Sequence, residues 1–210
     1  MRSCNLEPDM SDAILTPSDV PQPAPASYRA VVYCASAPGN RPEYMHAARE
    51  LGAGLAREEI GLVYGGASVG LMGAVADGAL AEGGEVLGVL PTVLADREIA
   101  HATLMRLKSL YYTETMHERK AKMLELADAV VALPGGFGTL DELMEALTWS
   151  QLGIHAKPCI LVNLMGYYDG LLAFLDRAVL EGFLKSENRA RILMANDVRH
   201  AIQILREWRR

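Results

Sequence analysis

The most constraining feature of this chain is an alternation of two kinds of segment. From Tyr28 onward, short apolar runs take turns with longer stretches of helical spacing. "YRAVVYCAS" is rich in β-branched and aromatic residues, and "RPEYMHAARELGAGLAREE" follows it with Pro42 placed for a first helical turn. "GLVYGG" precedes "VGLMGAVADGALAEG", and "EVLGVLP" precedes a less regular stretch, "REIAHATLMRLKSLYYTET". "DAVVALPGG" sits between the helical segments "MHERKAKMLELA" and "TLDELMEALTWSQLG". "KPCILVN" leads into "YYDGLLAFLDRAVLEG", and "NDVRHAIQILREW" closes the chain. Strands alternating with helices argue for βαβ units and a parallel sheet. The strand runs are apolar at nearly every position, as strands covered on both faces must be. The expected fold is α/β, a Rossmann-like doubly wound parallel sheet with helices on both faces.

Residues 1–27 read differently. "EPDMSDAILTPSDVPQPAPAS" is crowded with Pro, Ser and Asp, and its prolines oppose both helix and sheet. It is expected to be a flexible tail, which leaves 28–210 as one domain. Half of the 210 residues are hydrophobic, enough for one sizeable core.

Charge and cysteines narrow the function. A net charge of −6 without a basic stripe argues against a nucleic-acid partner. The basic clusters "ERKAK" and "REWRR" read as solvated helix faces. Cys4, Cys34 and Cys159 are odd in number and far apart, with no metal-ligand spacing. They read as buried or incidental thiols, which fits a reducing cytoplasm. His46, His101, His117, His155 and His200 form no HxH or HExxH pattern, so no metal site is expected. No run is long and apolar enough to span a membrane, and the start of the chain lacks the basic and apolar regions of a signal peptide.

In an open parallel sheet, ligands bind outside the carboxyl ends of the strands. Three such ends are rich in glycine or small residues: "CASAPGN", "YGGASVGLMG" and "LPGGFGT". In the last, Gly135, Gly136 and Gly138 lie between a strand and a helix. Loop amides and a helix N-terminus there offer unpaired donors to a phosphate, and Thr139 adds a hydroxyl. The same glycines also suit a plain tight turn. The loop is neither a dinucleotide GxGxxG nor a P-loop GxxxxGK[ST]. Glu142 has two readings. Thr139-Leu140-Asp141-Glu142 fits a capping box, with Thr139 as the cap. A carboxylate one turn above a phosphate loop also reaches a sugar attached to that phosphate. Arg119 and Lys120 read from spacing as an exposed basic face, and spacing does not place them in a site.

"MHERKAKM" followed by "LPGGFGTLDE" resembles the arginine segment and PGGxGTxxE signature of the LONELY GUY family. These are cytokinin riboside 5'-monophosphate phosphoribohydrolases, often mislabelled as lysine decarboxylases. The resemblance runs from about Tyr28 to Phe183 and includes "YGGASVGLMGAVADGAL", "LPTVLADREIAH", "ALTWSQLGIHAKP" and "GYYDGLLAFLDRAV". It implies a Rossmann-like nucleotide-binding catalytic domain, working as a homodimer, that hydrolyses the N-glycosidic bond of a nucleoside 5'-monophosphate. Arg119 and Glu142 would be the catalytic pair. Lys120, Gly136, Phe137, Gly138, Thr139, Leu140, Asp141 and Thr148 would line the nucleotide site, beside Gly135. Glu98, Ser36 and Gly66 would also face the ligand. No redox or metal cofactor is implied. The chain departs from the family at Ala67, where a third glycine is common, and at "CASAPG", where a Gly-Ser-Ser-type stretch is usual. A general AMP nucleosidase and a nucleotide-binding regulator without turnover are the alternatives. Lysine decarboxylation needs pyridoxal phosphate on a lysine, and no lysine here is in a pattern for it.

Overall fold

The computed structural model describes residues 23–92 and 100–209. The strands are β1 (Arg29–Tyr33), β2 (Gly61–Tyr64), β3 (Val86–Pro91), β4 (Leu110–Thr113), β5 (Ala129–Ala132), β6 (Cys159–Val162) and β7 (Ile192–Ala195). The helices are α1 (Pro42–Arg57), α2 (Gly70–Ala81), α3 (Ala102–Leu107), α4 (Met116–Glu125), α5 (Phe137–Gln151), α6 (Asp169–Leu180), α7 (Ser186–Arg189) and α8 (Val198–Trp208). The seven strands form one sheet in the order β4-β3-β2-β1-β5-β6-β7, and every pairing is parallel.

Strand periodicity sorts the core into two sides. Ala30 and Val32 pack with Leu51, Leu55, Leu71, Val75 and Leu205, the buried residues of α1, α2 and α8. Val31, Tyr33, Val63 and Val130 point the other way, against Met123 and Leu124 of α4 and Ala146 of α5. Farther along that side, Leu143 of α5 and Leu172 of α6 cover Ala132 and Leu161. Both faces of the central strands are therefore dry, which is why their sequences are continuously apolar. Burying a leucine such as Leu51 or Leu55 fully contributes roughly 1.5–3 kcal/mol each.

The structure corrects two sequence expectations. The stretch at 97–115 is not irregular in its described part: it forms α3 and β4. A second strand, β7, was not expected at all. These two are the edges of the sheet. An edge strand has one neighbour, so its residues alternate or face solvent, and Tyr111 and Tyr112 of β4 are exposed. The expected tail at 1–27 lies outside the described residues up to position 22. Residues 23–26 have no regular structure, and Ala26 N–H donates to Glu85 Oε2 at 3.1 Å.

Candidate active site

From β1 the chain builds outward through β2 and β3 to β4, then returns to start the other half at β5. The strand order reverses between β1 and β5, and the crevice outside their carboxyl ends is where such folds bind ligands. A cleft of about 310 Å³ opens there. The β1–α1 loop gives it Cys34, Ala35, Ser36 and Ala37, and Met72 comes from α2. The β5–α5 loop and first turn give Gly136, Phe137, Gly138 and Thr139. Met116 and Arg119 reach in from α4, and Asp141 and Glu142 from α5. A cavity of about 360 Å³ lies at the amino ends of β1, β2 and β3, beside Ala26, Gly61 and Glu85. It is far from the strand ends that bind ligands, and its Glu85 carboxylate is already paired with Arg29 at 2.7 Å.

The helix that follows the glycine loop starts earlier than its capping-box pattern suggests. Gly136 is the N-cap of α5, Phe137 the first helical residue, and Thr139 already inside the helix. The capping-box reading of Thr139 and Glu142 is thereby corrected, and neither Asp141 nor Glu142 lies in the first turn. Leu140 N–H is bonded to Gly136 O at 3.0 Å, the first i→i−4 bond of the helix. The N–H groups before it have no intrahelical acceptor, and their residues, Gly136 to Thr139, line the cleft. A side chain on Gly135 would strike Thr139 Oγ1 at 2.0 Å, so Gly135 lets the buried Thr139 fold back over the loop. Gly136 and Gly138 differ: a Cβ on either would meet nothing within 4 Å.

Arg119 is 6% exposed, which overturns the exposed-face expectation. The missing strand explains the error. Because β4 lies in the sheet, the N-terminus of α4 emerges at the same carboxyl edge as the glycine loop. Thr115 caps α4 by accepting from Glu118 N–H at 3.1 Å, and Arg119 sits just beyond that first turn. The Arg119 guanidinium passes over Gly65, donating from Nη2 to Gly65 O at 3.4 Å. A Cβ at Gly65 would lie 2.2 Å from that Nη2. Arg119 Nε is buried and has no hydrogen-bond partner among the described residues. A buried cation with an unspent donor is costly unless a ligand completes it. Glu142 is half-buried on the same cleft. Burial pushes the Cys34 thiol far above its usual range, with the Glu142 charge adding to the shift and the Arg119 charge opposing it. Both charges therefore act on one buried sulfur at the floor of the cleft.

Lys120 is also buried, but it does not line the cleft. Its Nζ lies 3.1 Å from Asp141 Oδ2 and 2.7 Å from Glu145 Oε2. Leu140 and Thr148 lie on the outer side of α5, in a shallow groove with Met144 and Trp149, and the Thr148 hydroxyl donates to Met144 O at 2.7 Å. Gly66 is held by packing, with φ +80° and Leu110 Cδ2 3.2 Å from where a Cβ would stand. Its carbonyl accepts from His101 N–H at 3.1 Å. The structure thus brings Ser36, Gly136, Phe137, Gly138, Thr139, Asp141, Arg119 and Glu142 to one cleft. Glu98 lies outside the described residues. Sequence reasoning missed Gly65, Met72 and Met116. The methionines have the spacing of core residues, and the role of Gly65 appears only once Arg119 is seen crossing it.

A family model described as "possible lysine decarboxylase" matches residues 72–205. The chain is 47% identical over 180 residues to the cytokinin riboside 5'-monophosphate phosphoribohydrolase LOG7 of Arabidopsis thaliana, covering 86% of this chain and 82% of that one. It is 44% identical over 186 residues to the phosphoribohydrolase of the same name from Rhodococcoides fascians, covering 88% and 92%. The chain belongs to the LONELY GUY family. Its fold is also that of the molybdenum cofactor carrier protein of Chlamydomonas reinhardtii, with a TM-score of 0.64 at 23% identity over 86% of this chain and 96% of that one. The molybdenum cofactor binding protein of Rippkaea orientalis gives 0.62 at 24% identity, over 87% and 96%. At that distance only the fold is shared. Within the LONELY GUY family, the signature residues Arg119 and Glu142 of this chain come from different helices and meet only through the fold.

Proposed function

We propose that the protein hydrolyses the N-glycosidic bond of N6-substituted adenosine 5'-monophosphates, releasing the free cytokinin-type base and ribose 5-phosphate. One observation carries this reading: a buried Arg119 with an unpartnered Nε shares a cleft with Glu142, above a helix N-terminus whose Gly136 and Gly138 face open space. The amides of that N-terminus hold the 5'-phosphate. Anchoring the phosphate positions the ribose and supplies binding energy remote from the reacting bond. As the bond from N9 to C1' lengthens, the ribose gains oxocarbenium character. The Glu142 carboxylate stabilises that charge and takes a proton from the attacking water. Water adds to C1', the bonding pair leaves with the base, and the base takes up a proton. Arg119 neutralises negative charge on the substrate and orients Glu142.

The protein acts as a homodimer in this reading. Phe137, at the mouth of the cleft, is 94% exposed. It shares the outer groove of α5 with Leu140, Met144 and Trp149, an apolar surface suited to a second copy. The buried, unpaired Cys34 and Cys159 suit a reducing cytoplasm. Among the described residues, no helix is long and apolar enough to cross a membrane.

The test is release of free base and ribose 5-phosphate from isopentenyl-AMP and AMP by the wild type and by Glu142→Gln. Hydrolysis abolished by Glu142→Gln in a folded protein is the expected result. Equal rates on AMP and isopentenyl-AMP make the enzyme a general AMP nucleosidase. Tight nucleotide binding without base release makes it a regulator and removes the proposal.

A further inference from the structure

Arg119 and Lys120 are neighbours on α4, and Asp141 and Glu142 are neighbours on α5. Adjacent residues on a helix point about 100° apart. When one member of each pair meets across two helices, the other members are turned to the side. Lys120 meets Asp141, and also Glu145, which shares a helix face with Asp141 at i,i+4. The members left over, Arg119 and Glu142, both line the cleft, at whose wall Asp141 also stands, whereas Lys120 does not.

We infer that Lys120 is a positioning residue: clamped between Asp141 and Glu145, its ammonium sets α4 against α5 so that Arg119 and Glu142 face one cleft, and it does not bind the nucleotide. The inference rests on the hydrolysis proposed above. An ammonium has three N–H donors. Lys120 Nζ is held by two carboxylates, with Asp141 Oδ1 at 3.3 Å, Asp141 Oδ2 at 3.1 Å and Glu145 Oε2 at 2.7 Å, so its charge is already matched by two acidic partners within the protein. The side chain is 7% exposed as a residue and absent from the cleft wall. Burial works against its charge, but the hydrogen bonds to Glu145 and Asp141 outweigh burial and raise its pKa, so it stays an ammonium. These helices also meet through an apolar cluster, in which Met123 and Leu124 of α4 pack with Ala146, Leu147 and Trp149 of α5. Apolar contacts tolerate sliding, whereas a buried ionic contact is directional and fixes register.

Glu145 separates the two roles, because it touches Lys120 without lining the cleft. The experiment is steady-state hydrolysis of isopentenyl-AMP by the wild type, Lys120→Met, Glu145→Gln and the double variant. Inhibition by ribose 5-phosphate reports phosphate affinity, and thermal unfolding reports folding. Both single variants are expected to lower kcat, Lys120→Met by about 10- to 100-fold. Ribose 5-phosphate inhibition stays within about threefold of wild type, well under 1.4 kcal/mol. The double variant is no worse than Lys120→Met alone, because the two side chains act as one unit. Wild-type kcat in Glu145→Gln, with ribose 5-phosphate binding weakened tenfold or more in Lys120→Met, overturns the inference and makes Lys120 a direct ligand. If Lys120→Met does not fold, Glu145→Gln decides alone, and an unchanged kcat there overturns it. Absence of base release by the wild type is a separate result that removes the proposed hydrolysis, and this inference with it.

Discussion

The glycines after β2 and those after β5 look alike in sequence and are kept for different reasons. After β2, the fold fills the space. A Cβ at Gly65 would meet Arg119 Nη2 at 2.2 Å, and one at Gly70, where φ is +53°, would meet Ser36 O at 2.3 Å. After β5, Gly136 and Gly138 have nothing within 4 Å of a Cβ and no positive φ. Packing does not demand glycine there. Both line the cleft at the start of α5, where the proposed phosphate would bind. The first loop is glycine-rich so that the protein can pack against itself; in the second, Gly135 serves packing against Thr139, and Gly136 and Gly138 leave the room that the proposed ligand needs.

The comparison is sharpest where the two loops meet, at the proposed catalytic pair. Glu142→Gln is expected to have the largest effect, lowering kcat about 10²- to 10⁴-fold with the melting temperature unchanged. Calorimetry beside base-release kinetics checks both halves. Gly65→Ala comes next. Its methyl displaces the Arg119 guanidinium, and kcat is expected to fall about 100-fold. A Gly65→Ala enzyme with wild-type kcat would break the packing account of the first loop. Gly138→Ala is expected to raise KM for the monophosphate about tenfold, the loss of roughly one charge-assisted hydrogen bond. It should leave folding stability unchanged or raise it by up to about 1 kcal/mol, since it lies in a helical turn with room for a methyl. Urea titration separates that result from a structural role. Gly70→Ala is expected to do the reverse, costing about 1–3 kcal/mol of stability without a specific change in KM for phosphate.

The smallest expected effect lies outside both loops. Burial lowers the pKa of His155 from 6.5, against the opposing hydrogen bond to Ala146 O and with the help of Lys157 and Arg191. The folded state therefore holds His155 neutral more readily than the unfolded state does. Its contribution is present above pH 6.5 and is lost as pH falls through the lower folded value. Between pH 7.5 and pH 5, the wild type should lose slightly more stability than His155→Gln, measured as urea midpoints at the two pH values.

The central sheet was legible because β1, β2, β5 and β6 are covered on both faces and so are continuously apolar. β4 and β7 were not: each is a four-residue edge strand, LYYT and ILMA, whose middle residues are partly or fully exposed, so neither is marked by a buried run. That omission carried into the site. Without β4, nothing in the spacing of "MHERKAKM" tells which end of the sheet Arg119 occupies. The glycine loop was legible because its chemistry is local, with strand, glycines and helix start contiguous. Thr139 and Glu142 misled for the same reason: a capping-box spacing is satisfied wherever a helix happens to begin, and this one begins at Phe137. Lys120 looked like part of a basic face because its two acidic partners lie on another helix.

The measurement that bears on the second loop's purpose is kcat/KM for isopentenyl-AMP against isopentenyladenosine on the wild-type enzyme. If the open space at Gly136 and Gly138 is a phosphate site, the monophosphate should be favoured by at least about 10³, the worth of several charge-assisted hydrogen bonds. Equal kcat/KM for the two would mean that the phosphate is not held there, and the reading of the loop would fall.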